Sequence, residues 1–340
     1  EYYLFRSVYL FKSICDVGGY CDVSARGKTA VVIETFLSHR NRVCGNLVTV
    51  IALLKYARLR RHATTAFVIS LSVSDLMFST VNLPLTASRY INEAWMFGET
   101  MCTIFPIFFY GNVAVSLLSM VAITLNRYLL ISRPDIYAEV YTMRNIIFML
   151  VAIWGLSFCL LVPSLFGLWG RLGLDEASFS CTILSKNGRS PKKVLFIIGF
   201  AIPCLVIIIS YLCIYWKVRK SLKKLQAHTD GKCGGFQRKE DSRMTRLMLT
   251  IFLCFLLCFM PLMLANVIDD KMKIPILHIV ASILEWASSV INPFIYAGTN
   301  RLYRDAYRQL LCPSRDFRPG KNHQRPTHSH SSKVSTPNIT

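Results

Sequence analysis

The chain has 340 residues, of which 53% are apolar and only 17% charged, with a mean hydropathy of +0.41. A soluble chain carries about 25% charged residues, so this balance excludes intrinsic disorder, a coiled coil and a basic tail that binds nucleic acid, and it points to an integral membrane protein. The formal net charge of +20 does not imply a nucleic-acid partner, because the basic residues lie between long apolar runs, where Lys and Arg write membrane topology.

Crossing about 30 Å of hydrocarbon takes ~20 apolar residues in a helix. Such runs occur at 65–89, 104–131, 145–169, 193–216, 245–268 and 275–298. A seventh, earlier run is defective: Val43 to Leu54 is 12 residues long and directly follows His39, Arg40, Asn41 and Arg42. Extending it backward places Glu34 and the basic cluster at membrane depth, at about 2.5–3.5 kcal/mol per central charge. Lys and Arg concentrate after the first run, after the fifth (Lys217, Arg219, Lys220, Lys223, Lys224) and in the tail (Arg301, Arg304, Arg308). These segments are therefore cytosolic and, with seven crossings, the N-terminus lies outside. No sheet signal and no internal repeat is evident. The expected organisation is an all-α bundle of seven transmembrane helices over 43–299, a short amphipathic helix over 300–312 and a disordered cytoplasmic tail over 313–340. Residues 1–42 stand apart as an atypical N-terminal segment, expected to derive from an incomplete first exon.

Ionisable groups at bilayer depth mark function, because their burial is costly. Asp75 sits in the apolar stretch LSVSDLMF. With Ser116, Ser288 and Asn292 on other spans it forms a candidate ion site that suits a small hard cation such as sodium, or a proton on Asp75; no other cofactor, and no further metal site, is implied. Arg127, at the cytoplasmic end of the third run, and Asp241, at the start of the sixth, carry opposite charges at one depth. They form a candidate latch between helices, with Tyr211 and Tyr296 as acceptors for the released arginine. Prolines inside spans (Pro84, Pro163, Pro203, Pro261, Pro293) each remove a backbone hydrogen bond. Toward the outer half lie Asn82, Tyr110, Asn266, His278 and Glu285 among Phe105, Phe108, Phe109 and Trp286, a set suited to a lipid-like or small amphipathic ligand, with a peptide as second choice. Cys102 and Cys181 fall on the oxidising side, where a disulfide is expected; Cys15 and Cys21 are alternative partners. Cys312, after the amphipathic segment, is a candidate lipidation site. Neither HExxH nor GxSxG occurs, so there are no candidate catalytic residues and no enzyme is expected. The rival class, a seven-helix transporter or channel, requires a continuous polar path, and apolar rings surround Asp75 and Glu285.

These residues resemble a rhodopsin-like (class A) G-protein-coupled receptor. Gly45-Asn46, the LxxxD ending at Asp75, Trp95 with Cys102, Asn126-Arg127-Tyr128, Trp154, Pro203 with Tyr211, Cys258-Phe259-Met260-Pro261 and Asn292-Pro293-Phe294-Ile295-Tyr296 stand in that family's order. The segments NRYLLISRP and EWASSVINPFIYAGTNRLYR are similar to the arthropod Moody / Trapped-in-endoderm orphan receptor group. The resemblance implies a multi-pass plasma-membrane receptor that works through a heterotrimeric G protein, with arrestin and a receptor kinase as further partners and a role in cell migration or barrier signalling. It also implies departures. Asn126 replaces the acid beside the arginine, and Phe259 replaces the tryptophan toggle. Phe109 stands where amine receptors carry Asp, and the seventh span has no lysine to form a retinal Schiff base.

Overall fold

The structure is a computed structural model that describes residues 23–60, 62–176, 178–186, 191–226, 235–269 and 274–312, with the backbone alone over 23–38 and 221–242. Eight helices make up the bundle: α1 (Val23–Lys55), α2 (Ala63–Asn92), α3 (Gly98–Ser132) and α4 (Met143–Leu165), then α5 from Lys192 to Gln226, α6 (Gly235–Ile268), α7 (Pro275–Thr299) and α8 (Arg301–Leu311). Among the described residues five of them (α2 to α5 and the Arg243–Ile268 part of α6) are long and apolar enough to cross a membrane.

Backbone polar groups in hydrocarbon must be satisfied within the chain, so each span is a helix. The hydroxyls inside the spans follow the same rule by bonding back one turn: Thr49 to the Gly45 carbonyl, Ser79 to Asp75, Thr124 to Met120, Ser157 to Ile153 and Ser210 to Val206. Two of the prolines follow a wider turn. A π-helical turn at Phe78–Asn82 leads into Pro84, and another at Ile197–Ala201 leads into Pro203. A proline ring clashes with the carbonyl four residues back, and an extra residue in the preceding turn accommodates it.

α3 runs through the middle of the bundle against α2, α4 and α5, and α7 packs along α6 and α1. Large apolar side chains on α4 (Phe148, Val151, Leu156) and α5 (Leu205, Ile209, Trp216) point outward and are exposed, as lipid-facing surfaces are. α8 has its N-cap at Asn300, whose side chain accepts the Leu302 N–H at 2.9 Å. It buries Tyr303 and Ala306 against the bundle.

Two features differ from the sequence reading. The stretch without a sheet signal holds a hairpin, β1 (Arg171–Asp175) paired antiparallel with β2 (Ser180–Leu184). A bond between Cys102 and Cys181 ties it to the outer end of α3, so a tertiary anchor holds two strands that carry little pattern of their own. The first helix also does not begin at Val43. α1 is one rod of 33 residues, about 50 Å at 1.5 Å per residue, and it crosses the basic cluster at 39–42. Arg42 is fully buried, with the carboxylates of Asp75 and Glu285 in electrostatic reach. A cation at this depth is tolerated where it faces acids inside a bundle.

Of the described glycines, Gly111 on α3 has the least room: an added Cβ would lie 2.5 Å from the Phe158 ring of α4. Gly111→Ala is expected to cost about 1–3 kcal/mol by overpacking. Gly155→Ala, which meets nothing within 4 Å, is expected to be neutral or slightly stabilising. Thermal unfolding of the two purified variants checks the contrast.

Candidate functional site

Polar groups gather at three depths. The outer layer is a chamber of about 770 Å³, counting its open mouth, under the hairpin. Phe109, Tyr110, Asn266, His278, Glu285 and Trp286, drawn from α3, α6 and α7, all line it. Asn82 is fully buried outside the lining, and Phe108 turns away to meet Phe158 on α4. Reasoning from the sequence missed Arg89, Lys192 and the hairpin residues that form the rest of the wall. Arg89 holds the hairpin: its Nη1 donates to the Ser178 carbonyl at 3.2 Å, and its Nη2 to the Tyr90 hydroxyl at 3.4 Å. On the far side, Tyr110 and Thr182 share a hydroxyl hydrogen bond of 3.2 Å. The gap between α6 and α7 is closed by Asp269, whose carboxylate accepts the Ile274 N–H at 2.8 Å and lies 3.4 Å from His278 Nε2.

A second cavity of about 640 Å³, counting its open mouth, adjoins the chamber and shares Tyr110, Lys192 and Asn266 with it. Its wall is otherwise nearly all apolar, from Val113, Ala114, Leu160, Leu161, Phe196, Phe200 and Met263. It lies between α3, α4, α5 and α6, beside the π turn of α5.

The middle layer centres on Asp75. Asn292 Nδ2 donates to Asp75 Oδ2 at 2.8 Å, joining α2 to α7. Asn46 Nδ2 donates to the Ser289 carbonyl at 3.0 Å, joining α1 to α7. Of the other proposed ion ligands, Ser116 bonds Ser74 at 3.2 Å, and Ser288 bonds the Glu285 carbonyl at 2.7 Å. Both hydroxyls are thus engaged away from Asp75 in this conformation. Ser70 receives the Trp154 indole N–H at 3.1 Å and pairs with Ser119 at 3.1 Å, which links α2, α3 and α4.

At the cytoplasmic layer, Arg127 Nη2 donates to Thr64 Oγ1 at 2.6 Å. Thr64 donates to Asn126 Oδ1 at 2.8 Å, and Asn126 Nδ2 donates to the Tyr137 hydroxyl at 3.2 Å. One threonine on α2 therefore joins the asparagine and the arginine of the Asn-Arg-Tyr motif. The sequence offered no signal for it beyond a hydroxyl at the inner end of a span. The Asp241 side chain lies outside the described residues. Tyr211 and Tyr296 are buried on α5 and α7, and the Tyr296 ring stacks on Tyr303 of α8 with 5.2 Å between centroids. Phe259 is buried and stacks on Phe255 at 4.2 Å, one turn below Met263 in the wall of the apolar cavity. α8 is also fixed to α1, because Tyr307 and Thr49 share a hydroxyl hydrogen bond of 2.9 Å. Burial pushes the Tyr307 phenol up to about 12 against the effect of that bond, so it keeps its proton. Cys312, just past α8, is exposed.

The family description "7 transmembrane receptor (rhodopsin family)" matches residues 45–296. The chain is 53% identical over 312 residues to Protein trapped in endoderm-1 of Drosophila melanogaster, covering 82% of this chain and 80% of that one. It is 33% identical over 343 residues to the G-protein coupled receptor moody of the same organism, covering 83% of this chain and 51% of the relative, so it spans about half of moody's length. In fold it is similar to squid rhodopsin, with a TM-score of 0.74 at 23% identity over 86% of this chain and 87% of that one.

The Asp75–Asn292 bond is the site interaction most open to a stability test. Asn292→Ala strands a buried acceptor and is expected to cost about 1–3 kcal/mol, whereas adding Asp75→Ala removes both partners and returns part of that loss. Melting temperatures of the two single variants and the double variant read the coupling directly.

Proposed function

The chain belongs to the rhodopsin family of seven-transmembrane receptors, and from that premise we propose that it binds an extracellular amphipathic ligand in its outer chamber and signals by movement of α6. Membership makes it a multi-pass plasma-membrane protein, not an enzyme, and G-protein coupling is general to the family. The observation that carries the ligand class is the pair of adjoining cavities. One has charged walls, the other is nearly all apolar, and they meet at Tyr110, Lys192 and Asn266. A single-chain amphiphile fits this division, with its head in the chamber and its tail between α3, α4 and α5. A peptide would leave the apolar cavity unused. The proposed role in cell migration or epithelial-barrier signalling rests on the likeness to this receptor group alone.

Signalling is a population shift: a ligand that binds the open state better than the closed one moves the equilibrium by that difference. Phe259 lies one turn inward of Met263, which lines the apolar cavity, and Pro261 sits between them as a hinge. At the inner end Arg127 is held to α2 through Thr64. Release of that arginine, and of its proposed latch to Asp241, opens the face formed by α3, α5 and α6 to the G protein. Receptor kinase and arrestin then act on the Ser/Thr-rich tail, and Cys312 carries a lipid that holds α8 to the membrane. Sodium at Asp75 would favour the closed state. The transporter reading finds no support in the packing around Asp75, where the side chains close on one another through hydrogen bonds.

The reading is tested by G-protein dissociation across subtypes in cells expressing the receptor, comparing single-chain amphiphiles with a peptide library. Responses confined to peptides would overturn it. Gly199, whose added Cβ would meet Leu160 at 3.3 Å, offers a plug for the apolar cavity. Gly199→Val is expected to weaken long-chain agonists about tenfold, ~1.4 kcal/mol, while short-chain analogues change little. Thr64→Val removes the arginine's anchor and is expected to raise basal G-protein dissociation several-fold at equal surface expression, as is Asp241→Ala.

A further inference from the structure

We infer that the headgroup this chamber selects is zwitterionic, with an ammonium donating to Glu285 and an anionic group accepting from Arg89. The inference rests on the amphiphile reading above and deepens it. Glu285 is 1% exposed, and its side chain makes no hydrogen bond among the described residues, with Oε1 fully enclosed. A buried carboxylate accepts up to four hydrogen bonds, and leaving it without any is costly. Yet its charge is not uncompensated: the guanidinium groups of Arg89 and Arg42 lie within electrostatic reach. The acid therefore has cations near it and no donor of its own among the described residues.

Arg89 completes the pattern. Two of its nitrogens are used on Ser178 and Tyr90, but its Nε is buried with no acceptor. Both groups line the same chamber, so one chamber holds an unmet acceptor and an unmet donor of opposite charge. They do not satisfy each other, because Arg89 is drawn outward to the hairpin by its bond to Ser178 and lies against the Tyr90 ring at 4.6 Å. The other charges on the wall are committed elsewhere. Asp269 pairs with His278, and Asp175 and Lys192 each have partners of their own.

A ligand with a net positive head would meet the Arg89 guanidinium in the same chamber as its acceptor, and a purely anionic head would leave Glu285 unmet and face its charge. A head that carries both signs meets both groups and adds no net charge to a buried site, where an unbalanced charge is expensive. Phe109 and Trp286 line the same chamber as the acid, and aromatic faces suit an ammonium. The tail then leaves the chamber past Tyr110 and Asn266, the residues shared with the apolar cavity.

The test uses the full receptor in lipid nanodiscs and three probes of equal chain length, each below its micelle concentration. They are a single-chain glycerophosphoethanolamine lipid, the matching single-chain glycerol phosphate lipid and the matching primary alkylamine. Thermal stabilisation of the receptor is measured against probe concentration. The zwitterion is expected to bind at least about tenfold more tightly than either probe that carries one sign of charge. Glu285→Gln is expected to abolish its advantage over the phosphate lipid, and Arg89→Gln its advantage over the amine. The ranking of probes on the unaltered receptor stands as evidence even if a variant fails to fold. Equal binding of all three heads, or tighter binding of either probe that carries one sign of charge, overturns the head assignment and leaves the amphiphile reading intact. No stabilisation by any of the three, with stabilisation by a peptide, overturns both.

Discussion

The hydrogen bond from Asn292 to Asp75 is the constraint around which the bundle is arranged. A carboxylate in a membrane helix has no water to satisfy it, so some other helix must bring a donor. Here α7 does so, and the same helix takes the amide of Asn46 on α1 through the Ser289 carbonyl. Three helices are thereby fixed in rotation and depth by polar contacts that have no competing solvent. The apolar cavity opens away from these contacts, between α3, α4, α5 and α6.

Much of this was legible in the amino-acid order. Six spans declare themselves as runs of about 20 apolar residues, and the motif positions supply the family. Asp75, Asn292, Arg127 and the polar chamber residues Tyr110, Asn266, His278 and Glu285 stand out because a polar side chain in an apolar run needs a reason. What escaped has equally physical causes. Arg89 and Lys192 lie near the ends of spans, where a cation normally reads as topology or snorkels to the headgroups. Thr64 lies at the inner end of a span, where hydroxyls are ordinary. The hairpin is invisible because a disulfide and Arg89 hold it, not its own strand pattern. The first span looked too short because Arg42 was priced as a lone charge, whereas its acidic neighbours sit on α2 and α7, 33 and 243 residues away in the chain.

The three polar layers also divide the labour of the molecule. The outer chamber is bounded by a hairpin pinned at Cys181 and Arg89, so its roof is set before a ligand arrives. The inner layer hangs on hydroxyls: Thr64 under Arg127, and Thr49 under Tyr307. The neutral Thr49–Tyr307 contact contributes about 1 kcal/mol and the Thr64 contact to a charged group about 1.5–3 kcal/mol, a scale at which differences in ligand affinity between states can shift the population. The middle layer, with its buried acid and amides, is the costlier one to disturb and serves as the fixed point between the two.

The π turns in α2 and α5 carry a consequence of their own. An α-helix advances about 100° per residue, so one additional residue in a turn rotates everything beyond it by that angle. Arg89 and Tyr90 lie outward of the turn at Phe78–Asn82, and Asp75 lies inward. The azimuth of the chamber-facing half of α2 is thus set independently of the half that meets α7 and the Asn-Arg-Tyr motif. Excising a single residue from that turn would swing Arg89 away from the hairpin while leaving the Asp75–Asn292 contact in place, uncoupling what the receptor senses from how its lower half is assembled.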